Sequence, residues 1–290
     1  MLIHRMYVGL CPTFTAARFM KEHRVLQPPL VDSHFHLWRV DQPLADTAWH
    51  VKVRDASIEE FIQVMDRHGV VLGVIAAASI YGQYNDYVRQ ALRQHKRFRA
   101  TATVSPQTDI YQLERMQDDG FVGIRFVWGL LDEIPDIRSG DYRMLLRRVA
   151  DLGWHVHLTD REHRIASTIA AVEDSGAKLV VDHLGLFDTS EGVNGAAFKT
   201  LMAAVERGKT WVKLSAGFRF NPPTASKQYA QALVALTGGE RLVWGSDWPF
   251  AAYEDKVTYA DTIAALEEWV PDPVVRARIC GSTPLKLYFT

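Results

Sequence analysis

The chain has 290 residues with 33 basic and 34 acidic side chains, a formal charge of −1, so no global field draws it to nucleic acid or to an anionic membrane. Hydrophobic residues make up 48% of it and aromatic residues 11%, which supplies a substantial core and excludes a disordered chain. No apolar run approaches the ~20 residues that a membrane span requires.

Residues 1–29 scatter Arg, Lys and His through short apolar stretches, without the uninterrupted apolar segment and small-residue cleavage site of a secretory signal. They read as an N-terminal extension that closes at Pro28-Pro29, where a helix cannot continue. The two cysteines, Cys11 and Cys280, match no metal-ligand spacing and no disulfide framework, which suits a reducing, cytoplasmic location. The predicted folded domain is 30–290, close to the ~250 residues typical of an α/β barrel.

Within it, brief aliphatic or β-branched runs alternate with helical patterns. Strands are predicted at 30–36, 70–78, 98–104, 122–127, 154–158, 178–183, 210–215 and 241–245. Between the first two, Ser57 and Glu60 have the spacing of a capping box, and Ile58, Phe61, Ile62 and Met65 form an apolar stripe that stops at Gly69. Further helices are predicted over 142–152, before Gly153, and over 162–176. Eight strand–helix pairs favour a parallel (β/α)8 TIM barrel over an open doubly wound sheet.

In such barrels chemistry collects where strands end. Strand one ends in Asp32-Ser33-His34-Phe35-His36, and alternation turns both imidazoles the same way, although a lone His-x-His pair is also met as two ordinary histidines. Strand four ends at Arg125, strand six at His183, strand eight at Asp247, and Arg219 follows strand seven. For His183 the plainer alternative is a buried histidine bonded to backbone; for Asp247 it is a helix N-cap before Pro249. For Arg219 the plainer alternative is a surface salt bridge, and Arg125 has the same alternative at its strand end.

Val31-Asp32-Ser33-His34-Phe35-His36, Gly123-Ile124-Arg125, Gly153-Trp154-His155-Val156, Val181-Asp182-His183-Leu184-Gly185, Trp211-Val212-Lys213-Leu214-Ser215 and Trp244-Gly245-Ser246-Asp247-Trp248-Pro249 follow one another in an order that resembles the amidohydrolase superfamily. The resemblance is to its amidohydrolase-2 branch, which contains 2-pyrone-4,6-dicarboxylate lactonase and related sugar and muconolactone lactonases. It implies a hydrolase that opens a lactone or cyclic ester of a small organic acid. Asp247 would take a proton from the attacking water, and His34, His36 and His183 would polarise the carbonyl, directly or through a divalent ion.

If a metal is used, the resemblance implies His34, His36 and Asp247 as ligands, with His157 or His183 in addition and zinc or manganese as the ion; the same branch also implies hydrolysis with no required cofactor. Arg125, in place of a lysine or glutamate ligand on strand four, argues against two metals. Arg125 and Arg219 would fork onto a substrate carboxylate, Ser79, Tyr81 and Asn85 would line a substrate loop, and Thr159 stands near a functional position on strand five. Asn85 is equally suited to capping the next helix. Trp128 and Trp248 would wall a planar substrate, or simply pack. One departure is Leu186, where the dicarboxylate lactonase pattern has arginine; a buried aliphatic group there disfavours a second carboxylate, and Phe250 points the same way. Two further readings are a metal-dependent decarboxylase or other lyase of the same superfamily, and a ligand-binding barrel without catalysis.

Overall fold

The computed structural model of the protein describes residues 29–50 and 54–290, so the predicted N-terminal extension, Cys11 with it, lies outside the described residues but for Pro29. Eight strands alternate with helices along the chain: β1 (Val31–Phe35), β2 (Leu72–Ile75), β3 (Phe98–Ala102), β4 (Phe121–Val127), β5 (His155–Thr159), β6 (Lys178–Val181), β7 (Thr210–Leu214) and β8 (Leu242–Trp244). They form one parallel sheet in sequential order. Closure comes at the ends of the outer strands, where His36 N–H donates to the Trp248 carbonyl and Asp247 N–H to the His34 carbonyl, each at 2.8 Å. Phe35 and Trp248 thereby make a parallel bridge, and the sheet is a (β/α)8 barrel, not an open one.

The surrounding helices are α1 (Ile58–Arg67), α2 (Asp86–Gln94), α3 (Ile110–Asp119), α4 (Gly140–Asp151), α5 (Glu162–Ser175), α6 (Ala196–Glu206), α7 (Ser226–Thr237) and α8 (Tyr259–Trp269), followed by the short α9 (Pro273–Ala277) and α10 (Thr283–Tyr288). Helix α1 begins as predicted, with the Ser57 hydroxyl accepting from Glu60 N–H. The reciprocal half of the capping box is absent, because the Glu60 carboxylate is drawn to Arg54 at 2.8 Å. Its buried stripe is Ile58, Phe61, Val64 and Met65, with Ile62 only half-buried at the edge. Helix α5 ends where Gly176 takes the left-handed conformation at φ 86°, which costs glycine nothing.

Two apolar shells hold the barrel. The larger packs the outward strand faces against the helices; the smaller joins Val31, Val74, Val180, Trp211 and Val243 to Leu287 and Tyr288 of α10. Alternation then carries the chain from this inner apolar floor upward: Val180 leads to Asp182, and Trp211 leads to Lys213. The layer above the floor is therefore polar, and it supports the rim. Strand β2 is shorter than predicted: beyond Ile75 the backbone stays with β1, Ala76 N–H donating to the Phe35 carbonyl, but leaves the β3 ladder, Ala77 N–H donating to the Thr101 hydroxyl.

Candidate active site

Asp32 ties the two ends of the chain together beneath the rim. Its Oδ1 accepts from the backbone N–H of His34 at 3.1 Å and of Ser246 at 3.0 Å, and its Oδ2 accepts from the Tyr259 hydroxyl on α8 at 3.0 Å. Burial still raises this carboxyl to about 6, with the hydrogen bonds working against the rise. By clamping the loop after β8 to β1, it brings the histidine pair and Asp247 to one point. Asp247 takes φ +64°, a left-handed conformation that an aspartate tolerates better than a branched residue would.

At that point three atoms face one another. His34 Nε2 is 3.2 Å from His36 Nε2, and Asp247 Oδ1 is 3.3 Å from His36 Nε2 and 3.5 Å from His34 Nε2. His183 Nε2 stands 3.7 Å from the same oxygen. Each ring is anchored by its other nitrogen: His36 Nδ1–H donates to the Ala76 carbonyl at 2.8 Å, His183 Nδ1 meets the Ser215 hydroxyl at 2.8 Å, and His34 Nδ1 meets Lys213 Nζ at 2.9 Å. Asp247 Oδ2 accepts from Arg219 Nε–H at 2.8 Å, whereas Oδ1 is buried with no hydrogen-bond partner.

Burial dominates the protonation of this cluster. It lowers His34, His36 and His183, the last to about 4, so all three rings are neutral near pH 7. Burial pushes Asp247 upward, but Arg219 first and then His183 outweigh it and hold the carboxyl well below its usual range. Asp247 is therefore ionised, the state a proton acceptor needs.

Around a tetrahedral ion held at ~2.1 Å, ligand atoms lie roughly 3.4 Å apart, which is the spacing found here. His34, His36 and Asp247 are thus close enough to share an ion, as are His34, Asp182 and His183. The orphaned Asp247 Oδ1 and the anchoring of His36 by a carbonyl, the usual support of a metal-bound imidazole, fit that use.

A cavity of about 520 Å³ opens above the cluster, with His36, His183, Asp247, Arg125 and Arg219 at its polar end and Trp38, Trp49 and Phe187 on its apolar side. Thr159 and Ser79 also line it; the Thr159 hydroxyl is buried without a partner, and the Ser79 hydroxyl accepts from Trp49 Nε1–H at 3.1 Å. His34 does not reach the cavity; it is fully buried beneath His36 and His183. Both arginines line the cavity already engaged. Arg125 donates from Nε to Asp182 at 2.9 Å and from Nη1 to the Ala77 carbonyl at 2.7 Å, and Arg219 lies over Phe218 and Tyr253 while holding Asp247. A ligand meets only the N–H groups that remain.

Four of the candidate substrate-binding residues stand away from the cavity. Tyr81 is buried and bonded to the Arg39 carbonyl, and the Asn85 amide donates to the Gln83 and Thr103 carbonyls, holding the loop and not capping α2 with its side chain. Trp128 stacks on Phe126 and Trp248 packs on Phe61, so both are packing residues. Leu186 does line the cavity, but as a rim residue 38% exposed, correcting the expectation of a buried apolar wall; the turn after β6 carries it outward at φ +50°. His157 lies a layer lower, with Nδ1 2.9 Å from Lys213 and outside the ligand cluster. Asp247 begins no helix, since α8 starts only at Tyr259.

Sequence reasoning passed over Lys213 and Asp182 as working residues. Lys213 is fully buried on β7, 3.0 Å from Asp182 Oδ1 and in contact with both His34 and His157. Burial lowers the ammonium to about 8, against the pull of Asp182. The signal was a lysine alternating with Trp211 inside an otherwise apolar strand.

The amidohydrolase family model (Amidohydro_2) matches residues 31–290. The chain belongs to the amidohydrolase family. It is 26% identical over 274 residues to the 4-sulfomuconolactone hydrolase of Hydrogenophaga intermedia, covering 91% of this chain and 90% of that one. It is 24% identical over 276 residues to the 2-pyrone-4,6-dicarboxylate hydrolase of Comamonas testosteroni, covering 89% and 90%. A solved structure from Acinetobacter baumannii, described as a probable 2-pyrone-4,6-dicarboxylic acid hydrolase with citric acid bound, superposes with a TM-score of 0.84 at 25% identity, covering 90% of this chain and 100% of that one.

Proposed function

We propose that this amidohydrolase opens the ring of a small, anionic lactone by hydrolysis. The observation that carries the reading is Asp247 Oδ1, an ionised carboxylate oxygen without a hydrogen-bond partner at the polar end of a cavity large enough for such a ring. Both curated relatives act on lactones by their names, and the cavity offers the parts that reaction uses.

A water between Asp247 Oδ1 and the lactone carbonyl carbon gives its proton to the carboxylate while its oxygen adds to the carbon. The remaining N–H groups of Arg125 and Arg219, with His183 Nε2, surround the place where negative charge develops on the carbonyl oxygen. Asp247 then returns the proton to the ring oxygen as the acyl bond breaks, giving a ring-opened hydroxy acid. His36, whose Nδ1–H is committed to Ala76, presents a lone pair at Nε2 and flanks the water as an acceptor.

A divalent ion held by His34, His36 and Asp247 would polarise the carbonyl and acidify the water. The names of the relatives and the two arginines favour an anionic substrate with an acid group near Arg125 and Arg219 and the rest of the ring against Trp38, Trp49 and Phe187. Assaying mono- and dicarboxylated lactones of similar size for ring opening tests the reading. Hydrolysis of at least one supports it, and inertness of them all with tight binding would replace it by a binding barrel.

A further inference from the structure

The three facing atoms of the site pose a question of hydrogen-bond direction. His36 Nε2 carries a lone pair, because its Nδ1–H is spent on the Ala76 carbonyl at 2.8 Å, and Asp247 Oδ1 is a carboxylate oxygen. Both can only accept. The triangle they form with His34 Nε2, at 3.2 to 3.5 Å on its sides, is satisfied in two ways: a cation between them, or a proton on His34 Nε2.

The nitrogen on the far side of His34 decides between the two. A histidine that binds metal through one nitrogen ordinarily donates its other N–H to a carboxylate or carbonyl. His34 Nδ1 has a carboxylate in reach, Asp182 Oδ1 at 3.5 Å, but a nearer partner in Lys213 Nζ at 2.9 Å. An ammonium has three N–H donors and no lone pair. Lys213 sits 3.0 Å from Asp182 Oδ1, which holds it as a cation, and 2.9 Å from the Nδ1 of His157 as well. A nitrogen that accepts from an ammonium carries no proton, so in neutral His34 the proton stands on Nε2.

We propose that Lys213 is a positioning residue that donates to His34 Nδ1, fixes His34 as the Nε2–H tautomer, and so fills by a proton the place that a metal ion would take among His34, His36 and Asp247. It acts through His34 from the layer below and touches no substrate: Lys213 is fully buried and does not line the cavity. The Nε2–H of His34 stands in the triangle between His36 Nε2, at 3.2 Å, and the Asp247 oxygen that receives the water's proton, at 3.5 Å. The same contact opposes metal binding, since His34 gains a lone pair at Nε2 only by losing its hydrogen bond from Lys213. The inference concerns the site of the proposed lactone hydrolysis, but its test reads protons and metal, not turnover, so either can fail alone.

The experiment uses the full chain labelled with 15N in its histidines. Two-bond 15N–1H spectra identify which ring nitrogen carries the proton, and a His34→Gln variant assigns the His34 signals. Wild type should show His34 protonated at Nε2, with Lys213→Met moving the proton to Nδ1, where Asp182 receives it. In parallel, zinc titration should show Lys213→Met binding at least tenfold tighter than wild type. The proposal is overturned if wild-type His34 carries its proton on Nδ1, if Lys213→Met folds and leaves the tautomer unchanged, or if wild type binds zinc through His34 as tightly as the variant does. Should Lys213→Met fail to fold, the wild-type spectrum decides by itself.

Discussion

Replacing Asp247 by Asn separates proton transfer from architecture. Asparagine tolerates the left-handed backbone at φ +64°, and its amide oxygen can accept from Arg219 Nε–H where Oδ2 now does at 2.8 Å. That orientation turns the amide N–H2 toward His36 Nε2, whose lone pair lies 3.3 Å from the present Oδ1 and accepts it. The variant therefore keeps its bond from Arg219 but loses the carboxylate charge and turns an amide donor toward His34 Nε2–H, a loss of about 1–3 kcal/mol in stability. Its catalytic loss is larger, because the group facing the water has changed from proton acceptor to proton donor. General-base catalysis contributes roughly 10²- to 10⁴-fold, or about 3–5.5 kcal/mol of barrier. Steady-state kcat/KM on a turned-over lactone, with thermal unfolding of the same samples, measures both. A purified Asp247→Asn protein within about fivefold of wild type in kcat/KM would refute the role given to Asp247.

Leu186→Arg should raise kcat/KM for dicarboxylated over monocarboxylated lactones, but only about fivefold or less, because the position is a 38% exposed rim site where an ion pair gives less than ~1 kcal/mol; a shift of a hundredfold would mean that the rim closes over the substrate. Dialysis against a chelator should leave the circular dichroism spectrum unchanged and most ring-opening activity intact if Lys213 holds His34 as described, and elemental analysis of the same samples shows whether an ion was lost. Acid should destabilise the fold early. His155, lowered to about 3 by burial and then by Lys178, stays neutral while its unfolded counterpart charges below ~6.5, so stability present above that pH is lost as pH falls toward 3, at up to about 1.4 kcal/mol per unit. Asp32, raised to about 6, opposes this between its ordinary value and 6, but His34, His36, His157 and His183, all lowered by burial, act in the same direction as His155 and outweigh it. A melting temperature that does not fall between pH 7 and 4.5 would contradict the burial of neutral histidine.

The barrel was legible because the strands are short apolar runs and several intervening helices carry a glycine stop, as at Gly153 and Gly176. The meeting of His34, His36, His183 and Asp247 was legible for the same reason: His34 and His36 stand at the end of β1, His183 and Asp247 in the turns just past β6 and β8, and closing the barrel brings strand ends together. What alternation cannot give is depth along the barrel axis. His34 and His36 share a face, yet one is sealed and the other borders the cavity, and Lys213 was read as part of a motif when it is the floor of the site. Nor does residue type show whether a side chain is already engaged. Tyr81, Asn85 and Trp128 are suited to a substrate but are taken up by loop carbonyls or by stacking, and both arginines reach the cavity with part of their donors spent.

The central claim is that water is added across the acyl–oxygen bond of a lactone at this cavity. It is tested most directly by incubating the protein with carboxylated lactones in 18O-labelled water and analysing the products by mass spectrometry, with Asp247→Asn as control. The account predicts a ring-opened acid that gains one labelled oxygen in its new carboxyl group, formed by wild type and lost in the variant. Release of carbon dioxide without label in a new carboxyl group would instead establish a lyase and contradict it.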